Sequence, residues 1–161
     1  MRAVALVPDT TLVVHGPATT PEEQRHRREL HDLVEELGLA ERVTLASSVP
    51  RTRIPELHRR ADVLVNNMRA GAPDKVVYEA CGSGLLVLAS NPSFEELVRG
   101  VEPPLLFPRD SPAELAARLR ALAALGPAER REIGVQLRRR VLERHSVEAW
   151  ARRLVAAVTS P

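Results

Sequence analysis

Aromatic residues are scarce: Tyr78, Phe94, Phe107 and Trp150 are the only four in 161 residues. The core must therefore be built from Leu, Val and Ala, and the stacking platforms that hold single-stranded nucleic acid are not available. Cysteine is scarcer still. Cys81 stands alone and can close no internal disulfide. It falls in a helix between apolar strands, where a buried structural thiol is the expectation, and a reducing cytoplasm is the default compartment. No apolar run approaches the roughly 20 residues of a membrane span, and the first residues lack the pattern of a signal peptide. No group of His, Cys, Asp and Glu has metal-ligand spacing, and neither a Gly-x-Ser-x-Gly elbow nor a P-loop occurs. No protein-held metal and no cofactor are expected.

What is there reads as one globular domain spanning residues 1–161. Hydrophobic residues make up 44% and charged residues 27%, which is neither a disordered nor a membrane composition. The net charge is only +2 because 23 cations face 21 anions. Arginines lie beside glutamates on helices, as in Glu129-Arg130-Arg131-Glu132, so a solvated face is expected and nucleic-acid binding is not. Lysine occurs once, at Lys75.

Strands and helices alternate along the chain. A short apolar lead, Val4 to Asp9, is either a helix end or an edge segment, and Leu12 to His15 then reads as a buried strand that Gly16-Pro17 breaks. Thr20-Pro21-Glu22-Glu23 is a capping box, and its helix carries Leu30, Leu33, Val34 and Leu37 on one face until Gly38 ends it. Val43 to Ala46 is a second strand, a short helix follows near Arg53 to Arg60, and Asp62 to Asn66 is a third strand. Leu85 to Ser90 is the fourth. Ser93 and Glu96 have capping-box spacing for a further helix, and Leu105 to Phe107 reads as a short fifth strand. The last third is helical, with starts at Ser111, after Gly126, and at Ser146. Trp150, Leu154 and Val158 fall one turn apart, most simply as core. Such alternation predicts an α/β fold: a parallel sheet covered on both faces, with a helical C-terminal third. Ligands of such sheets sit beyond the carboxyl ends of the strands.

One stretch leaves from such an end. Between the third and fourth strands runs Gly71-Ala72-Pro73-Asp74-Lys75-Val76-Val77-Tyr78-Glu79-Ala80-Cys81-Gly82-Ser83-Gly84. Asp74 suits an N-cap, and Gly84 suits the helix end. Lys75 then lies at a helix N-terminus, where the macrodipole disfavours a cation unless an anion docks there. Glu79 is one turn on and could accept hydrogen bonds from hydroxyls beside that anion, phosphate and ribose being the natural pair. The plain alternative is an exposed Lys75–Glu79 pair worth about 0.2–0.5 kcal/mol. Among the histidines, His15 sits at a strand end, either in the cleft or capped by solvent. His26, His31 and His58 fall on charged helix faces and are expected to be solvated, and His145 reads as a helix C-terminal cation. Tyr78 and Phe94 could face core or cleft.

The order of these motifs resembles the C-terminal, nucleotide-sugar-binding domain of GT-B glycosyltransferases, above all glycosyltransferase family 4. The matching pieces are Leu12 to Gly16, Gly38-Leu39, Val43 to Val49, Arg60-Ala61-Asp62-Val63, and Glu79 to Ala89, within a likeness that spans roughly residues 10 to 158. The resemblance implies a Rossmann-like domain that holds a nucleoside-diphosphate sugar as donor substrate. It places Glu79 on the ribose, and the N–H groups of Lys75, Val76 and Val77, behind Asp74, on the diphosphate. It sets the loop Ser47-Ser48-Val49-Pro50-Arg51 along the base and Gly16 where the nucleotide approaches closely. Gly71 stands where the family has a glutamate that meets the donor sugar. Asn66-Asn67 replaces the usual Pro-Ser ahead of it, with Asn67 expected among the donor-binding residues, Leu86 replaces a proline, and Ser47 a glycine.

The family's domain begins with a strand and a cationic loop that precede this chain's first match, so the expectation is the donor half of a two-domain transferase. Acceptor-side catalytic groups would come from an N-terminal domain or partner chain, and peripheral membrane association stays open. A non-catalytic assembly module and an epimerase-like domain are the alternatives.

Overall fold

The computed structural model describes residues 1–159. Helix α1 (Arg2–Ala5) leads into strand β1 (Leu12–His15), helix α2 (Pro21–Glu36) and strand β2 (Val43–Ala46). A 3-10 turn at Arg51–Arg53 opens helix α3 (Ile54–Arg60), and strand β3 (Val63–Asn66), helix α4 (Lys75–Gly82) and strand β4 (Leu86–Ala89) follow. A 3-10 turn at Pro92–Phe94 enters the single-turn α5 (Glu95–Val98), and the chain finishes in α6 (Pro112–Ala124), α7 (Pro127–Arg144) and α8 (Val147–Thr159). The fold is α/β with parallel strands and a helical C-terminal portion, as the alternation predicts.

The sheet is less continuous than expected. β1 pairs with β2 and β3 with β4, each pair parallel and in register over four residues. The two pairs form separate two-stranded sheets. The expected fifth strand is a single parallel bridge from Leu106 to Ala89, with Ala89 N donating to Leu105 O and Phe107 N to Ala89 O. Pro103, Pro104 and Pro108 flank it, and proline offers no N–H to a longer ladder.

Burial follows the sheet division. All four residues of β4 are buried, as a parallel strand covered on both faces requires. They share the main core with Val77, Ala80 and Cys81 of α4, Phe94, and Leu119, Leu137 and Val141 from α6 and α7. A smaller cluster joins Val4, Val34, Leu39 and Val43 beneath β1 and β2. α1 bridges the two clusters, since Ala3 lies in the first and Val4 in the second. Arg42 fixes its end by donating from Nη1 to the carbonyls of Val4, Val7 and Pro8 at 2.6–3.1 Å.

Local chemistry sets the helix ends. At α2 the Thr20 hydroxyl accepts from Glu23 N while the Glu23 carboxylate accepts from Thr20 N, the expected reciprocal cap. Ser93 does not cap the helix after β4. Asn91 does, its Oδ1 accepting from Ser93 N at 3.0 Å, because Pro92 at the first helical position shifts the start upstream. Trp150 is not core either: it is 57% exposed on α8.

Candidate functional site

Parallel pairing gathers the carboxyl ends of β3 and β4 along one edge, and the stretch from Asn67 to Asp74 runs over it. Ser90 Oγ donates to Met68 O at 2.8 Å, and Asn91 Nδ2, nearly fully buried, reaches the carbonyls of Gly71 and Ala72 at 3.4 Å. Asn67 and Asp110 exchange two bonds, Asn67 Nδ2 to Asp110 Oδ1 at 2.9 Å and Asp110 N to Asn67 Oδ1 at 3.1 Å. That exchange holds Asp110 at φ 56°, a left-handed conformation that aspartate tolerates better than most residues. The loop is therefore pinned at both flanks.

α4 begins where the sequence places it. Asp74 caps it, Oδ1 accepting from Val76 N at 3.2 Å and Oδ2 from Asn66 Nδ2 at 3.1 Å. Asn66 is buried, and among the described residues its Oδ1 has no hydrogen-bond partner. Val77 N donates to Asp74 O, so two of the three N–H groups expected at an anion are already turned to the cap. Lys75 is exposed and makes no ion pair among the described residues. The plain Lys75–Glu79 pair does not form.

Glu79 pairs instead with Arg51, Nη2 to Oε1 at 2.7 Å. This contact joins the loop after β2 to the helix after β3 and brings two of the sequence's site residues together. Val49 is half-buried beside it while Ser47 and Ser48 are exposed. Gly16 N donates to Ala46 O, and nothing lies within 4 Å of a Cβ built at Gly16 or at Gly71. The edge is an open shelf. Two surface grooves lie elsewhere, one between α7 and α8 and one between α5 and α7. Gly71 has φ 145°, so a glutamate there would need a changed backbone as well as a side chain.

Two residues escaped the sequence reading. Arg27 on α2 donates to the carbonyls of Gly16, Leu45 and Ala46 at 2.7–3.3 Å, tying together the carboxyl ends of β1 and β2. Its place in a run of charges on α2 gave no sign of this. His58, expected to be solvated, is buried with Nδ1 3.1 Å from Ser83 Oγ, because α3 turns that side toward the end of α4. Desolvation pushes its imidazole below the ordinary value, against the upward pull of Glu79. His15 Nδ1 meets Ser47 O at 3.0 Å.

Tyr78 turns away from the shelf, stacked on His145 at 4.3 Å and edge-on to Phe94 at 5.5 Å. His145 ends α7, where the sequence places it. Burial and the neighbouring Arg153 and Arg144 hold its imidazole low, although Glu96 draws it up. Burial pushes the Cys81 thiol up to about 12, leaving it an inert core group. Among the described residues, no group of three or more His, Cys, Asp and Glu could hold a metal, and no helix is long and apolar enough to cross a membrane.

Residues 1–140 match the family model of glycosyl transferases group 1. No curated protein matches the chain. Sucrose-phosphate synthase from Thermosynechococcus elongatus is 28% identical with a TM-score of 0.82, the match covering 96% of this chain and 41% of that one. HepE from Anabaena, solved in complex with UDP, is 25% identical with a TM-score of 0.86, covering 99% of this chain and 43% of that one. The C-terminal domain of LpcC from Francisella tularensis shares the fold at 23% identity and a TM-score of 0.76, covering 91% of this chain and 77% of that one. This chain thus spans about two fifths of the two longer proteins. With the match to the family model covering most of its length and the GT-B C-terminal fold in place, the chain belongs to the glycosyl transferases group 1 family.

Proposed function

We propose that this domain holds the nucleoside-diphosphate-sugar donor of a glycosyltransferase on the shelf at the start of α4. The observation that carries the reading is the unpaired Lys75 at that helix N-terminus, one turn from Glu79. The diphosphate would meet the Lys75 ammonium and N–H and the positive end of the helix dipole. Ribose hydroxyls would donate to Glu79, whose Oε2 is left over by the Arg51 contact. Gly16 leaves room for the nucleotide, and Ser47, Ser48, Val49 and Arg51 would line its base. HepE, 25% identical, was solved with UDP.

Catalytically, the chain would contribute positioning and charge. Transfer breaks the bond between the anomeric carbon and the diphosphate oxygen, and a fixed cation at that oxygen stabilises the leaving group. Groups that bind and deprotonate an acceptor would come from a companion domain, so the isolated chain should bind donor and turn over little. A non-catalytic reading draws on Gly71, which offers no carboxylate to a donor sugar.

Calorimetric titration with UDP- and GDP-sugars separates the two. Saturable binding that weakens about tenfold or more in both Lys75→Ala and Glu79→Ala supports the donor site, since charge-assisted hydrogen bonds are worth about 1.5–3 kcal/mol. Absence of binding to either nucleotide sugar overturns it.

A further inference from the structure

Arg51 reaches across 28 positions of sequence to meet Glu79, yet its side chain is 86% exposed. An ion pair so open to water is weakly held and easily exchanged. The backbone beneath it is not free in the same way. Pro50 fixes the entry, Arg53 N donates to Pro50 O at 2.9 Å, and Arg51–Arg53 forms the 3-10 turn that opens α3. The root of the side chain is therefore anchored while the guanidinium can swing. Arg53 cannot stand in for it, because its Nε is taken by Glu56 Oε2 at 2.7 Å. Charge around the shelf is already committed elsewhere. The Asp74 carboxylate accepts from Val76 N and Asn66 Nδ2, and Arg27 is held by strand-end carbonyls. Lys75 is the only basic residue of α4, and one ammonium leaves a diphosphate short of positive charge.

We propose that Arg51 is a second, exchangeable cation of the donor site, leaving Glu79 as the nucleotide arrives and closing on its diphosphate. This rests on the donor-site reading given above. Ribose hydroxyls would take the open Oε2 of Glu79 first and then compete for Oε1, which releases the guanidinium. Lys75 stands one turn before Glu79, about 5–6 Å away between Cβ atoms, so a diphosphate at the helix start lies within a short swing of the released group. The planar fork of arginine matches phosphate oxygens bidentately, a better fit than the single N–H···O contact it makes with Glu79. The arginine thus has an anionic partner in both states, the carboxylate when the shelf is empty and the phosphates when it is filled.

Calorimetric titration of the parent, Arg51→Gln, Glu79→Gln and the double variant with UDP, and with GDP in parallel, tests the exchange. Arg51→Gln should weaken the nucleotide that binds by about tenfold or more and flatten the salt dependence of its affinity. The same loss should appear in the Glu79→Gln background, because the arginine then acts on the phosphates and not through the carboxylate. Arg51 is so exposed that its replacement should leave the fold, read by circular dichroism, unchanged. The proposal is overturned if Arg51→Gln leaves affinity as it was or raises it, which would make the arginine a competitor for Glu79 and nothing more. It is overturned equally if the loss disappears in the Glu79→Gln background, which would make Arg51 a brace for that carboxylate. In both cases the parent still binds and the donor-site reading stands, whereas a parent that binds neither nucleotide removes the two together.

Discussion

His58 joins α3 to the end of α4 while its ring stays largely out of water. With the folded value held below the ordinary 6.5 by burial, the unfolded chain takes up a proton first as pH falls. Protonation therefore favours unfolding, and the stability tied to the neutral ring is present above about pH 6.5 and lost below it. The thermal midpoint should fall between about pH 7 and pH 5, and His58→Gln should flatten that slope. An equally steep slope in the variant would contradict the assignment. His145 is also held low and adds to the same slope. At this scale the sequence was legible where the residue's own backbone sets its role: Asp74 caps α4 as its side chain and position imply. It was illegible where a distant partner decides. Nothing on α2 announces that Arg27 will bind the carbonyls of two strand ends, and nothing on α3 announces that Ser83 will meet His58.

At the element scale, α7 lies so close to the turn after α4 that a Cβ at Gly134 would overlap the Gly84 carbonyl oxygen. That oxygen belongs to rigid backbone, so relief requires the helix to move. Gly134→Ala should destabilise the domain by about 1–3 kcal/mol despite its better helix propensity. Urea denaturation would show a lower midpoint at unchanged slope, and a stabilised variant would mean that α7 sits further out. Helix starts were well marked in sequence because capping chemistry is local. Thr20 with Glu23 makes both expected bonds, and Gly38 takes the positive φ expected after α2. Apolar periodicity was a poorer guide. Trp150, Leu154 and Val158 show the spacing of a core stripe, yet spacing says only that the residues share a side, not what that side faces. The short strand at Leu106 failed for another reason: its flanking prolines limit pairing to one bridge.

For the whole molecule, the accessible surface of 10,607 Å² exceeds the roughly 7,900 Å² typical of a compact 17.7 kDa protein. α8 contributes to the excess while burying only Ala149, so the fold should scarcely need it. Removing residues 147–161 should leave the unfolding free energy within about 1 kcal/mol, the scale of one buried methyl. A larger loss in chemical denaturation would show that α8 braces the core. The openness of the shelf has a consequence of its own. Exposed as it is, Lys75 acts through water, where two unit charges 4 Å apart attract by about 1 kcal/mol, against about 4 kcal/mol in the lower effective dielectric near a protein wall. Any body that roofs the α4 terminus thereby multiplies the grip of the same lone ammonium several-fold, without a new contact from this chain.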